Sequence, residues 1–223
     1  MKSIQHPVVQ NIEDNLSYLN DTLAVDKSFD VIRLDVVYAS RKMALFLVDG
    51  FAKDDILHYL MKILLDLKKE DLEPDPLEKL LKTYIPYVEV EATDDLDKVV
   101  DAVLSGPTAL IVDGIEKAIL IDARTYPVRG PQEPDMERVV RGARDGFVET
   151  IVFNTALTRR RVRDRSLRME YMSIGRRSKT DVVVCYIEDI ANDHFVKEVK
   201  ESLTKIDTDG LPMAEKSIDE FIS

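Results

Sequence analysis

Short apolar strands alternate with amphipathic helices through Asp122, and this alternation restricts the possible folds more than any other feature of the chain. Apolar residues between Ile12 and Leu23 recur at steps of three and four, which predicts a helix. Alternating polarity over Phe29–Tyr38 predicts a strand with one wet face, and the apolar run Met43–Val48 predicts a more central strand. Another periodic segment, Lys53–Lys68, predicts a second helix. Helices and strands interleaved in this way are typical of an α/β sandwich.

Shorter periodic segments predict the remaining elements. Asp113-Gly114 lies between two apolar runs and predicts a β-hairpin, and Thr93 is a candidate N-cap for the helix that follows it. The predicted helices are Leu77–Thr83, Asp94–Leu104, Phe147–Arg163, Asn192–Leu203 and Ala214–Ile222, and the predicted strands are Tyr87–Glu91, Thr108–Val112, Lys117–Asp122, Leu167–Ile174 and Val182–Ile187.

The periodicity is interrupted between residues 124 and 146. Pro127, Pro131 and Pro134 alternate there with charged residues, which indicates an ordered connector and not a core element. We therefore expect an α/β fold of two subdomains, each a small mixed β-sheet packed with helices, joined by a Pro/Arg-rich connector. The first subdomain covers residues 1–123, the connector 124–146 and the second subdomain 147–223.

A weak internal repeat links the two halves of the chain. A shift of 139 residues lays Ala44–Leu64 over Val183–Leu203, so that an apolar strand and the apolar row of a helix coincide. Any two strand–helix units share such a pattern, and chance remains an alternative. If the repeat is real, the second copy has no counterparts of the strands near 87–91, 108–112 and 117–122. We would then expect the sequence to be part of a longer protein.

Charge is distributed very unevenly along the chain. The formal net charge is −11, yet residues 121–180 carry 14 Lys+Arg against 8 Asp+Glu and hold 13 of the 15 arginines. Arginine in this excess favours bidentate pairing with carboxylates over nonspecific attraction of polyanions. Because acidic residues are interleaved with the arginines, we interpret the segment as a salt-bridged interface between subdomains or subunits. A solvated basic face, and an anion or nucleic-acid site, are the alternatives.

The candidate interface or hinge is defined by charged and amide side chains of this segment. Its members are Arg129, Glu133, Glu137, Arg138, Arg141, Arg144, Glu149, Asn154, Arg159, Arg160 and Arg161.

Sequence patterns of catalysis and cofactor binding are missing from the chain. It contains no G-x-S-x-G, P-loop or G-x-G-x-x-G motif, and His6, His58 and His194 lie far apart with no second ligand at metal spacing. The single cysteine, Cys185, excludes an intramolecular disulfide, and its place in an apolar run predicts a buried structural thiol. Apolar runs are far shorter than a membrane span. We therefore expect a protein that is not an enzyme and has no cofactor or metal.

The arginine-rich segment resembles the signature of the GerA family of bacterial spore-germination proteins. The family pattern is close to YP-x-R, then EP-x-x-E-x-x-x-RG-x-R-(E/D)-GF-x-E, then N-x-x-L-x-RRR. Asp145 and Thr158 depart from the residues more common in the A subunits of germinant receptors and favour a sporulation branch of the family. The matching residues are Pro127, Arg129, Glu133, Pro134, Glu137, Arg141, Gly142, Arg144, Gly146, Phe147, Glu149, Asn154, Leu157 and Arg159–Arg161.

The resemblance implies a role in germination. Family members have a soluble N-terminal region of two α/β subdomains followed by membrane helices in the spore inner membrane, and they assemble into oligomers thought to release ions when nutrients arrive. The chain would then be a soluble regulatory or assembly domain on the cytoplasmic side, held at the membrane through a region outside it. Expected partners are further copies of itself and other spore germination membrane proteins, without nucleic acid. Alternatively, the domain senses a small-molecule germinant or anion at the subdomain cleft near Arg129 and Arg144.

Overall fold

The computed structural model of the chain describes residues 4–52, 54–85, 89–124 and 146–211, together with Ile218 and Phe221. Helices in these ranges are α1 (Ile12–Leu23), α2 (Asp54–Leu65), α3 (Lys69–Leu72), α4 (Pro76–Lys79) with a π-helical turn at Leu80–Tyr84, α5 (Leu96–Ser105), α6 (Ile151–Arg161) and α7 (Asp193–Thr204). Strands are β1 (Val31–Tyr38), β2 (Arg41–Val48), β3 (Val90–Thr93), β4 (Thr108–Val112), β5 (Ala118–Ile121), β6 (Leu167–Ile174) and β7 (Thr180–Ile187). The predicted helix at 214–222 lies almost entirely outside the described residues.

Contacts divide the chain into two compact units whose boundaries differ from the predicted subdomains. Unit 1 comprises Met1–Val25 and Asp30–Arg165, and unit 2 comprises Asp26–Phe29 and Ser166–Ser223. Helix α6, which the sequence assigned to the second subdomain, groups with unit 1 because its Ala156 is buried in the core of that unit. Residues 26–29 group with unit 2 because the amide of Phe29 donates to the carbonyl oxygen of Met169 at 2.7 Å.

Unit 1 is built on a five-stranded sheet of order β1-β2-β4-β5-β3, in which each neighbouring pair is antiparallel. The apolar strands β2 and β4 lie inside the sheet, and β1, with its alternating polarity, lies at an edge. The predicted hairpin connects β4 and β5 through Asp113-Gly114, where Gly114 has a φ of 80° that favours glycine. The expected α/β class is confirmed.

Helices cover both faces of this sheet. On one face, α1, α5 and α6 pack against alternate residues of β2, including the fully buried Phe46. On the other face, Leu60 and Leu64 of α2 pack against Met43 and Leu45 of the same strand. Strand β2 is thus apolar on both faces because both faces are covered, as its uninterrupted run predicted.

Helix α5 begins two residues later than the candidate cap suggested. Its N-cap is Asp95, whose side chain accepts from the amide of Asp97, while Thr93 is the last residue of β3 and its hydroxyl accepts from the amide of Asp95. The preceding strand is correspondingly Val90–Thr93, later than the predicted 87–91. An aspartate at the N-cap and a threonine at a strand end both satisfy local amides, so either position is compatible with the sequence.

Unit 2 contains the antiparallel hairpin β6–β7 and helix α7. Ile174 of β6 and Leu203 of α7 are buried together, with Val182 and Val184 of β7 packed against them. Cys185 lies on the opposite face of β7 from these valines and is exposed, so the prediction of a buried thiol was wrong. Its apolar neighbours in sequence resemble those of a central strand, but the strand has only one described neighbour.

The internal repeat is reproduced by the secondary structure. Adding 139 to the bounds of β2 gives those of β7, and adding 139 to those of α2 gives those of α7. Helix α6 begins 139 residues after α1. Two helices and a strand in the same register favour a genuine α-β-β-α repeat over a chance match.

Candidate functional site

The structure describes five of the eleven predicted interface residues. Glu149, Asn154, Arg159, Arg160 and Arg161 are described, and they lie on or just before α6. The others, which are Arg129, Glu133, Glu137, Arg138, Arg141 and Arg144, lie outside the described residues, and their role remains a prediction.

Arg159 forms a buried ion pair with Asp30 inside unit 1. Nε donates to Oδ2 of Asp30 at 2.6 Å and Nη2 donates to Oδ1 at 3.1 Å, so the pairing is bidentate. Nη1 donates to the carbonyl oxygen of Asp164 at 3.0 Å. The side chains of Arg159 and Asp30 are 1% and 0% exposed. At least one arginine of the motif therefore pairs with a carboxylate in a dry place, as its composition suggested, but within one unit.

Asp30 occupies a fixed position immediately before β1. Its carbonyl oxygen accepts from the amide of Asp49 at 2.8 Å, which ties it to the turn after β2. In that turn Gly50 has a φ of 78°, and a Cβ added there would lie 3.1 Å from Cβ of Ala156. Glycine therefore permits both the turn and the close approach of α6, and α6 presents Arg159 one helical turn beyond Ala156.

Asn154 fastens the segment before α6 to the helix itself. Its amide nitrogen donates to the carbonyl oxygen of Val148, and its Oδ1 accepts from the Val148 amide, each at 2.7 Å. Asn15 of α1 makes the same two bonds with Val9, at 2.6 and 2.9 Å. Both members of the second pair lie 139 residues before those of the first, a correspondence that sequence reasoning missed although the shift was known.

Glu149, Arg160 and Arg161 are exposed. Successive residues of a helix point about 100° apart, so the three consecutive arginines cannot share one environment. The motif is thus divided between Arg159, which holds the helix inside unit 1, and Arg160 and Arg161, which lie on its surface.

A second charged cluster, which sequence reasoning missed, surrounds Asp97 at the start of α5. Tyr18 Oη donates to Asp97 Oδ1 at 2.8 Å, Arg165 Nη1 to the same oxygen at 2.9 Å, and His6 Nδ1 lies 2.9 Å from Oδ2. Nη2 of Arg165 donates to Asp101 at 2.9 Å. The bonds with His6, Arg165 and Tyr18 hold the pKa of the Asp97 carboxyl well below its usual range. No local pattern could reveal this cluster, because its members are 68 to 91 residues from Asp97.

Asp97 is expected to make folding stability pH-dependent. A carboxyl whose pKa is lower in the folded than in the unfolded state stabilises the fold above its unfolded value, about 4, and that contribution is lost as the pH falls through the folded value. Asp97→Asn should therefore lower the free energy of unfolding near neutral pH, and its difference from the wild type should shrink in acid. Urea unfolding at about pH 7 and about pH 3 measures the change.

The matched control for this variant is Asp101→Asn, which removes the more exposed partner of Arg165. An exposed pair contributes about 0–1 kcal/mol, so this variant should change stability little at either pH. Equal pH profiles for Asp97→Asn and the wild type would contradict the role given to Asp97.

Within the described ranges, we find no helix long and apolar enough to cross a membrane. The same residues contain no group of three His, Cys, Asp or Glu side chains arranged to hold a metal ion.

Comparison with known proteins identifies the class to which this fold and motif belong. The profile of the Bacillus/Clostridium GerA spore germination protein family matches residues 17–223. The chain belongs to this family, as the arginine-rich motif indicated.

Particular relatives place the chain within the family. It is 42% identical over 215 residues to stage V sporulation protein AF of Bacillus subtilis, covering 96% of this chain and 44% of that protein. It is 32% identical over 206 residues to spore germination protein GerLA of Bacillus cereus, covering 91% of this chain and 40% of that one. The greater similarity to the stage V protein confirms the branch that Asp145 and Thr158 favoured. The chain spans less than half the length of these two relatives.

A solved structure has the same fold. The N-terminal domain of the A subunit of the Bacillus megaterium spore germinant receptor GerK3 superposes with a TM-score of 0.72 at 26% identity, covering 92% of this chain and 75% of that one. The chain is thus similar to sporulation and germination proteins and not to known enzymes, in agreement with the expectation from its motifs.

Proposed function

We propose that the chain acts as a regulatory and assembly domain of a spore-germination protein of the stage V AF type, on the cytoplasmic side of the spore inner membrane. The buried Arg159–Asp30 pair is the observation that supports this role most directly. It anchors α6 within unit 1, so the exposed arginines of the same motif are presented on a rigid helix. Charged groups on a rigid element can make contacts that differ between two assembly states.

The proposed mechanism is electrostatic and conformational. Arginine–carboxylate contacts of the motif would form in one state of a homo-oligomer, or of an assembly with other germination proteins, and rearrange when ions are released. Support comes from the similarity to stage V sporulation protein AF and to a receptor subunit domain. The alternative, a small-molecule germinant or anion held near Arg129 and Arg144, stays a prediction because both arginines lie outside the described residues.

Charge reversal in the motif should impair germination while leaving the domain folded. Arg141→Glu or Arg144→Glu, introduced into the gene of the spore-forming host, should slow germination because a like-charge contact would replace an attractive one. Loss of optical density and ion release by purified spores measure the rate. Thermal unfolding of the 223-residue chain with the same substitution shows whether the fold is retained.

Arg176→Glu serves as the control, because Arg176 is exposed in unit 2 and lies outside the family motif. It should leave the germination rate unchanged. Normal germination by both motif variants would refute the proposed mechanism, and normal germination after deletion of the whole gene would refute the germination role.

A further inference from the structure

The outer edge of β7 is less protected than the other sheet edges among the described strands. Edge strand β1 carries Arg33 and Asp35, and edge strand β3 carries Glu91. Charges of this kind discourage pairing with another chain. In contrast, β7 contains the apolar run Val182–Ile187, pairs with β6 alone, and none of its eight residues is buried.

Unit 1 shows what the equivalent edge looks like when it is covered. The counterpart of β7 is β2, whose second edge pairs with β4 in the register Met43↔Val112 and Leu45↔Leu110. Six of the eight residues of β2 are buried.

The helices of the two repeats differ in the same way. Leu60 of α2, which packs in the cluster that contains β4 residues, is 6% exposed, whereas its counterpart Val199 of α7 is 39% exposed. Phe195, one turn earlier on α7, is 65% exposed. Unit 2 thus leaves open the surface that a further strand covers in unit 1.

The strand that fits this surface must be apolar on both faces, since β7 has valines on its helix face and Val183 and Cys185 on the other. Strand β7 itself has this composition. We propose that β7 pairs antiparallel with β7 of a second copy of the chain, forming a continuous four-stranded sheet about a two-fold axis.

The geometry of such a pair is self-consistent. Residues opposite each other in an antiparallel pair share a face, so both α7 helices lie on the same side of the joined sheet and their exposed Phe195 and Val199 rows face a common groove. Pairing centred on Val184 places Asp181 opposite Ile187 and Glu188 opposite Thr180, so no like charges are opposed. A two-stranded hairpin is marginal by itself, and two more strands satisfy its outer backbone groups.

Sedimentation velocity of the 223-residue chain between about 1 and 300 µM tests the proposal. The wild type should shift from monomer to dimer with concentration, and Val183→Lys should weaken association by about tenfold or more, because it places a charge in the paired strands. Phe195→Glu on α7 should act in the same direction. The matched control is Val37→Lys, a valine that is 68% exposed on β1 in unit 1, and it should associate like the wild type. Circular dichroism verifies that each variant is folded.

Crosslinking gives an independent readout, because Cys185 is the single cysteine of the chain and lies on β7. A short bismaleimide should join two copies of the wild type and of Val37→Lys, but not of Val183→Lys. A wild type that remains monomeric at all concentrations, or equal association by the two lysine variants, would overturn the proposal. This inference rests on unit 2 alone, so its failure would leave the germination role intact.

Discussion

Replacing Arg159 with methionine is expected to lower the free energy of unfolding of unit 1 by about 3–5 kcal/mol. The substitution keeps much of the apolar volume but leaves Asp30 buried without its bidentate partner. The destabilisation reflects the uncompensated buried carboxylate more than the strength of the pair, because desolvation of both charges offsets much of their attraction. Urea unfolding followed by far-UV circular dichroism measures the loss, since the chain has no tryptophan.

A double variant separates these two contributions. Arg159→Met combined with Asp30→Asn should be less destabilised than the sum of the single variants, because no unpaired charge remains buried. Arg160→Met is the matched control, as it changes the neighbouring arginine on the exposed side of α6, and it should alter stability by no more than about 0.5 kcal/mol. If the variants at positions 159 and 160 had equal stability, the buried pair would have no structural role.

Phe46→Ala and Cys185→Ala form a second comparison, because the two residues occupy equivalent positions 139 residues apart. Phe46 is fully buried between the sheet and the helices of unit 1, so its truncation should cost about 3–5 kcal/mol through lost burial and the remaining cavity. Cys185 is exposed, and its truncation should cost no more than about 0.5 kcal/mol. The same urea titrations give both values.

The comparison tests the difference between the two repeats directly. Leu64→Ala, at a buried position of α2, should behave like Phe46→Ala and confirms that the assay detects truncation of the core of unit 1. A large loss of stability in Cys185→Ala would show that the outer face of β7 is covered and would contradict the exposed edge.

Hydrophobic patterning was sufficient to predict most helices and strands. The run Met43–Val48 predicted a strand covered on both faces, which β2 is, and Asp113-Gly114 predicted the β4–β5 hairpin. The equally apolar run around Cys185 misled, because patterning reports the surface that a strand could bury and not the neighbours that it has. The grouping of α6 was missed for a related reason: an amphipathic face does not specify which sheet it packs against.

The candidate site was predicted in part. Composition alone indicated arginines paired with carboxylates, and Arg159 confirms that kind of contact. Its partner Asp30 lies 129 residues away and has no distinguishing neighbours, so sequence could not identify it. The Asp97 cluster was hidden by the same separation. Only the asparagine brackets at Asn15 and Asn154 were within reach, since the repeat places them in equivalent positions.

The four residues 26–29 give unit 2 a discontinuous sequence, and this affects the order in which the chain can fold. During synthesis Phe29 emerges long before Met169, its hydrogen-bond partner, so unit 2 cannot be completed until the helices and sheet of unit 1 have been made. Closing so long a loop costs little more entropy than closing one of half the length, about 0.6 kcal/mol. The delay is therefore a matter of timing, and a fragment that begins at Ser166 would lack one of the contacts that define the unit.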